Sequence, residues 1–415
     1  TLPLSHHSPL HHLATLSAQH RAALHSTQPR ARVHRSFGTN SGNETTMENF
    51  TEPRQMDAFE RIIQEKNDHA MASALASVDR ELEAGLAAID QEGAGPTYER
   101  SNTRGVHETD LIKQDLRSNG YSVVGGVLSP GECTQAVDRA WAWLSSLGSG
   151  VDRSDSGTWN NSKWPCSGGH SLIQHYGVGQ SPFVWSVRMN ANVRKVFGSI
   201  WGTEDLVTSF DGCAIQRPPE LTNCRFESSA DKSWFHCDQS KGTVGKVPTV
   251  NGWQCIQGGV NLEESGEGDG CFRVLSGSHL LHAEAPWEGT SKDWYKLTAE
   301  DRKWYVEKGC VDTKVTCPKG GVVLWDSRAM HANTSPVRNR AFPRWRITVF
   351  VCMQPRVHVA TGVSKRRRKA FEEGRTASHW PARMNLFGKK PRLYGKEDAC
   401  SAPPVQTKED WLALV

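Results

Sequence analysis

From Leu206 onward the chain is cut into short β-rich runs by glycines, prolines and polar turns. The runs are LVTSFDGCAIQ, SWFHCD, WQCIQGGVNL, CFRVLSGSH, GGVVLWDSRAMHAN and RWRITVFVCMQP. Their spacing is not that of alternating βαβ units, so it argues against a doubly wound parallel sheet and predicts a jelly roll or small barrel. One helical insert, TSKDWYKLTAEDRKWYVEKG, separates two of the runs. The fold class expected is therefore α+β and mainly β, with helices flanking a strand core at about 206–355.

The residues upstream of that core organise differently. Residues 1–43 hold no acidic residue, and the first methionine is Met47. Such a stretch fits an organellar transit peptide or sequence translated ahead of a start at Met47, and residues 1–50 are expected to be disordered. Residues 55–91 repeat apolar positions at three- and four-residue spacing until the GAGP turn, which predicts a helical extension over 51–105. The catalytic-size domain is placed at 106–360. It opens with a strand over 121–127 and a helix with Ser129 at its N-cap, Pro130 at its first position and Gly148 at its end. Further helices are expected from Ser181–Pro182 and over NVRKVFGSIWG. A basic, turn-rich segment over 361–415 is expected to pack on the core, and its SKRRRK run reads as a solvated helix face rather than a localisation signal.

Composition sets limits on partners. Lysine plus arginine exceed aspartate plus glutamate by only 49 to 45, which gives no electrostatic case for nucleic acid. No run approaches the roughly eighteen apolar residues that a spanning helix needs. Eleven scattered cysteines, odd in number and never spaced C-x-x-C, fit free thiols in a reducing compartment. A cytoplasmic monomer or homodimer is the expectation, with mitochondrion or plastid as the alternative if residues 1–46 are a transit peptide.

The chemistry concentrates in three of the runs. In a strand, residues i and i+2 share a face, so His236 and Asp238 present an imidazole and a carboxylate side by side. A divalent first-row metal needs at least one further donor, and His331 at the end of GGVVLWDSRAMH is the candidate. Two histidines and one carboxylate with open positions opposite make the facial triad of non-haem Fe(II) oxygenases. A 2-oxo acid that chelates the metal leaves a distal carboxylate for a guanidinium fork. Arg346, with the Thr348 hydroxyl two residues on, satisfies that need, and Arg344 on the same face is the second choice. Gln257 and Asn261 share a face and are candidates to line the co-substrate pocket. Cys237 should point away from the ligands, while Gln239 beside them is a candidate for their surroundings. Trp164, His170, His175 and Tyr176 are candidate substrate-pocket walls, and His279 is expected to be structural.

The order H-x-D, GCFRVLSGSHLLH, GGVVLWDSRAMHAN and an arginine-bearing strand resembles the phytanoyl-CoA dioxygenase family of Fe(II)/2-oxoglutarate oxygenases. The similarity runs from about Val106 to Pro355, with Ser276 standing where the family's PGSH segment has proline. The resemblance implies a double-stranded β-helix, cupin-like, with His236, Asp238 and His331 as iron ligands and Arg346 as the 2-oxoglutarate anchor. It also implies a basic residue, Arg217, reaching toward the co-substrate. The activity implied is hydroxylation or another oxidation of a small-molecule or lipid-like substrate, using O2 and releasing succinate and CO2. Asp238 favours oxidation without halide, since relatives that halogenate carry a small residue there. A zinc hydrolase or isomerase on the same scaffold, and a non-catalytic binding module, are the alternatives.

Overall fold

Strands buried on both faces organise the structure, a computed structural model that describes residues 97–99, 102–165, 171–222, 234–243, 247–289, 293–337, 339–393 and 397–415. All of these belong to the compact unit Glu83–Val415. The expected leader, and the helix expected over 55–91, lie outside the described residues.

Strands β1 (Thr97–Glu99) and β2 (Thr103–Arg104) come first, followed by α1 (Thr109–Ser118), β3 (Tyr121–Val124) and α2 (Pro130–Ser146). Next are β4 (Leu172–Ile173), α3 (Pro182–Arg188), α4 (Ala191–Trp201), β5 (Leu206–Thr208), β6 (Cys213–Gln216) and α5 (Pro219–Thr222). The core continues through β7 (His236–Cys237), β8 (Ile256–Asn261), β9 (Phe272–Ser276), β10 (Tyr295–Lys296), α6 (Ala299–Glu307) and β11 (Val311–Val315). It closes with β12 (Val322–Asp326), β13 (His331–Asn333), β14 (Arg346–Pro355) and α7 (Thr361–Glu372).

Two sheets result. One runs β1-β11-β9-β13-β7-β10, and the other runs β2-β3-β12-β8-β14-β6-β4 with β5 added on β14. Pairing is antiparallel except for β1 with β11 and β2 with β3. This is the expected jelly roll, a double-stranded β-helix. β1 and β2 join the sheets, so within 51–105 the described residues contribute strands rather than the expected helix.

Alternation along the strands sorts side chains between the interior and two outer layers. On β12, Val323 and Trp325 enter the inter-sheet cluster with Phe272, Val274 and Val315, while Val322 and Leu324 face the helical layer. On β14, Ile347, Val349 and Val351 face that same layer, which leaves Arg346, Thr348 and Phe350 on the inward side. Because both faces are covered, these runs read as nearly continuous apolar segments in the sequence. Outside the first sheet, Phe235, Cys237, Leu275, Trp287 and Tyr305 form a separate cluster, so Cys237 packs away from His236 as expected.

Local signals explain the helix ends. Ser129 accepts from the Glu132 N–H and Glu132 accepts from the Ser129 N–H, a capping box that contributes about 1 kcal/mol. Asn190 caps α4, and Gly202 at φ 74° ends it.

The SKRRRK run is only partly a solvated face. Arg368 and Lys369 make exposed i,i+4 pairs with Glu372 and Glu373. Arg367, in contrast, is fully buried and donates to the carbonyls of Thr208 (2.7 Å), Val415 (2.9 Å), Pro381 (3.1 Å) and Leu414 (3.2 Å). One guanidinium thus ties together β5, the C-terminus and the segment after α7. Trp411 stacks on Trp185 at 4.9 Å and extends the same core. Arg367→Ala leaves buried carbonyls without a donor and should cost about 3 kcal/mol or more in denaturant unfolding, while Arg368→Ala should stay within about 0.5 kcal/mol. Equal effects of the two would refute the clamp.

Candidate metal centre

β7 and β13 are neighbours in the first sheet, and their register sets His331 directly opposite His236. Asp238 follows two residues after His236, where the Ser327 carbonyl accepts its N–H at 3.1 Å. One ligand atom from each of the three residues lies within 4.8 Å of the others. His236 Nε2 stands 3.7 Å from Asp238 Oδ1, and His331 Nε2 stands 3.4 Å from Asp238 Oδ2. An ion with bonds of about 2 Å can reach all three after small side-chain shifts.

The surroundings fix the protonation that ligation needs. His236 Nδ1 donates to the Trp234 carbonyl and His331 Nδ1 to the Ala329 carbonyl, each at 3.0 Å. Each ring therefore keeps its Nε2 lone pair for the cavity. Burial, reinforced by the neighbouring His331, pushes His236 down to about 4, so it is neutral near pH 7. Burial also pushes the Asp238 carboxyl up, but His379, His236 and His331 outweigh it and hold that group well below the usual carboxylate range. Gln257 donates from Nε2 to Asp238 Oδ2 at 3.0 Å and orients the carboxylate.

The triad opens into a cavity of 880 Å³ between the two sheets. Arg346, Thr348, Gln257 and Asn261 line it, all from the second sheet. Arg346 donates from Nη2 to Asn333 Oδ1 at 2.8 Å, while its Nε is buried without a partner. Among the described residues it has no carboxylate partner, and burial pulls it down to about 10. Gly259 lies between Gln257 and Asn261 on the inward face, where an added Cβ would sit 2.9 Å from the Thr348 methyl. The donor set fits a divalent first-row metal, and the guanidinium, with no carboxylate partner among the described residues and a cleared floor beside it, fits a small dicarboxylate.

A family model described as Phytanoyl-CoA dioxygenase (PhyH) matches residues 116–341. The chain belongs to this family. It is an oxygenase-type enzyme of the iron- and 2-oxoglutarate-dependent kind. Ava biosynthesis cluster protein O of Aspergillus versicolor is 26% identical over 284 residues, which is 65% of this chain and 86% of that protein. A putative phytanoyl-CoA dioxygenase of Dictyostelium discoideum is 26% identical over 254 residues, 54% of this chain and 69% of that one. Among solved structures, SnoK, a non-haem α-ketoglutarate-dependent carbocyclase from nogalamycin biosynthesis, is 15% identical. It covers 63% of this chain and 87% of its own, at a TM-score of 0.42. EctD from S. alaskensis with bound Fe is 13% identical over 64% of this chain and 83% of its own, at a TM-score of 0.40.

Other candidates from the sequence are placed elsewhere. Arg344 is half exposed and pairs with Asp269 at 3.0 Å, so it makes a structural ion pair and does not line the cavity. Arg217 donates to the Trp159 carbonyl (2.6 Å) and to Asn161 (2.7 Å), and stacks over Trp164 rather than reaching the cavity. Trp164 itself is buried among Trp141, Trp159 and Trp345. Tyr176, with His175 beside it, turns away, and its hydroxyl donates to Asp398 at 2.8 Å. Gln239 is buried and donates to Gln254. His279 donates to the Arg117 carbonyl at 3.0 Å, the structural role expected of it. His170 lies outside the described residues.

Walls that sequence reasoning missed include Trp234, Trp294 and Lys296 near the triad, Asp211 after β5, and His379, Arg383 and Phe387 after α7. Only Trp234 carried a local signal, since it stands two residues before His236 and so on the same strand face. Replacing Gln257 by Leu should weaken metal binding about ten- to a hundredfold in an anaerobic Fe(II) titration. Unchanged affinity would remove Gln257 from the orientation of Asp238.

Proposed function

We propose that this chain is an Fe(II)- and 2-oxoglutarate-dependent dioxygenase that hydroxylates or otherwise oxidises a small-molecule or lipid-like substrate. His236, Asp238 and His331 hold the iron, and Arg346 anchors the distal carboxylate of 2-oxoglutarate. The observation that carries this reading is a single chamber lined by both the triad and Arg346, a buried guanidinium with no carboxylate partner among the described residues. A hydrolytic zinc site does not require such a guanidinium.

When bound, the metal supplies the redox chemistry, in which dioxygen is reduced, 2-oxoglutarate is split to succinate and CO2, and a substrate C–H bond is oxidised. The chain's own residues bind, orient and exclude. The guanidinium edge of Arg346 meets a carboxylate as a fork, and Thr348, whose hydroxyl now donates to Asn261 Oδ1 at 2.8 Å, stands beside it. Gly259 leaves room for the chain of the co-substrate. Phe272, Val323 and Trp325 keep the inner end apolar, which limits access of competing water. A cavity of 880 Å³ accommodates both the co-substrate and a small organic substrate.

Arg346→Lys replaces the fork by a point charge and should weaken 2-oxoglutarate binding by about 1.5 to 3 kcal/mol, tenfold to roughly a hundredfold. Arg344→Lys should change it less than about twofold, because that side chain serves an ion pair at the surface. Anaerobic titration of the Fe(II)-loaded protein with 2-oxoglutarate checks both. An equal response of the two arginines, or succinate release that persists when zinc replaces iron, would overturn the reading.

A further inference from the structure

The part of the cavity that neither the triad nor Arg346 uses is closed by a segment beyond residue 341, where the family match ends. Residues 376–387 form a small hairpin. Ala377 bridges to Leu386, Ser378 N donates to Asn385 O at 2.8 Å, and Phe387 N donates to Thr376 O at 3.0 Å. The hairpin is tied down at four places. Ala377 N donates to Phe210 O (2.8 Å), and Ala382 N to Gln354 Oε1 on β14 (2.9 Å). Arg383 pairs with Asp293 (2.6 Å), and Trp380 Nε1 donates to the backbone carbonyl of Asp238 (3.3 Å). Its cavity-lining residues include His379, Arg383 and Phe387, in a chamber shared with the metal triad.

Two polar side chains in this chamber keep hydrogen-bonding capacity among the described residues. His379 Nε2 is buried and, among the described residues, has no hydrogen-bond partner. Asp211 is only 8% exposed, and its carboxylate accepts from the Gly212 N–H, which donates to Oδ1 at 2.7 Å. The nearby Arg188 donates to the carbonyls of Gly179 and Asp211, not to that carboxylate. Burial pushes the Asp211 carboxyl up, an effect that the nearby His379 only partly offsets. No hydrogen bond joins Asp211 and His379 among the described residues, so each retains capacity for a third group. A buried carboxylate accepts hydrogen bonds and repels anions, so this part of the cavity does not suit the 2-oxoglutarate dianion.

We propose that Asp211 and His379 form the polar recognition pair for the substrate, which presents to them an O–H or N–H donor, an alcohol or an amine, on an apolar body that rests against Trp234, Trp294 and Phe387. This rests on reading the cavity as the iron and 2-oxoglutarate site. It makes the hairpin after α7, rather than the aromatic loop around Trp164, the specificity element of the chain.

Matched probes test it. Benzyl alcohol, benzylamine and benzyl methyl ether share one ring and differ in the donor, and each is titrated anaerobically into the full chain loaded with Fe(II) and 2-oxoglutarate. Tryptophan fluorescence reports their binding. Either the alcohol or the amine should bind at least tenfold more tightly than the ether, and whichever it is distinguishes the two donor chemistries. Asp211→Asn and His379→Leu should each bring that preference to within about twofold, and His379→Gln, which keeps a hydrogen-bond acceptor, should recover part of it. Iron and 2-oxoglutarate affinities measured on the same samples separate failure of this pairing from failure of the site itself. Should Asp211→Asn not fold, the His379 variants decide alone. Equal binding of all three probes, no binding of any, or a preference that survives the folded variants would overturn the proposal.

Discussion

Each histidine of the triad donates its Nδ1–H to a carbonyl two residues earlier in its own segment, His236 to Trp234 and His331 to Ala329. That pair of contacts does two things at once. It selects the tautomer with a free Nε2, and it fixes each ring against backbone that the sheet already holds. The sheet supplies the rest of the geometry, because β7 and β13 are in a register that sets the two histidines opposite one another. A one-residue slip in that pairing would carry His331 to the outer face, among Leu275 and Met330, where no metal could be shared. The register is held in turn by β9, whose Val274 and Phe272 face the interior while Leu275 packs outside.

The opposite sheet places Arg346 and Thr348 by the same alternation. Ile347 and Val349 are committed to the helical layer, so Arg346 and Thr348 have to point inward. Burying a guanidinium costs several kcal/mol unless its N–H groups are met; Arg367 meets its own with backbone carbonyls, whereas Arg346 has capacity left for a ligand. Asn333, on the strand that carries His331, holds the guanidinium through one hydrogen bond and leaves Nε without a partner among the described residues. The triad and Arg346 are thus tied across the two sheets by a neutral group that does not compete with a carboxylate.

Much of this was legible in the sequence, and for a definite reason. The strand period of two assigns faces without knowledge of the partner strand, which is why His236 with Asp238, and Arg346 with Thr348, could be paired from spacing alone. The capping box at Ser129 and the glycine at 202 are likewise local. What failed was everything set by where a loop lands. The aromatic loop with Trp159 and Trp164 looked like a pocket wall, but its indoles find Trp141 and Trp345 and bury one another, with Arg217 stacked above. Arg367 could not be told from its neighbours in SKRRRK, since burial of one basic residue in a run depends on the carbonyls that fold back on it. β11, with its exposed Val311 and alternating polar residues, lacked the apolar density that marked the other strands.

The hairpin at 376–387 shows how such a landing shapes chemistry. It touches the metal centre through the Asp238 carbonyl rather than through a ligand atom, so it can bear on the position of that segment without altering the donor set. The strands fix the triad and Arg346 through backbone register, which tolerates little change. Apart from one backbone bond, from Ala377 N to Phe210 O, the hairpin is held by side chains, namely Gln354, Arg383 with Asp293, and the Trp380 indole. Contacts of that kind can be exchanged one at a time without disturbing the sheets. A chamber whose inner end is set by strand alternation, and whose outer wall is set by a separately anchored loop, can keep one oxidative chemistry while the group it recognises changes.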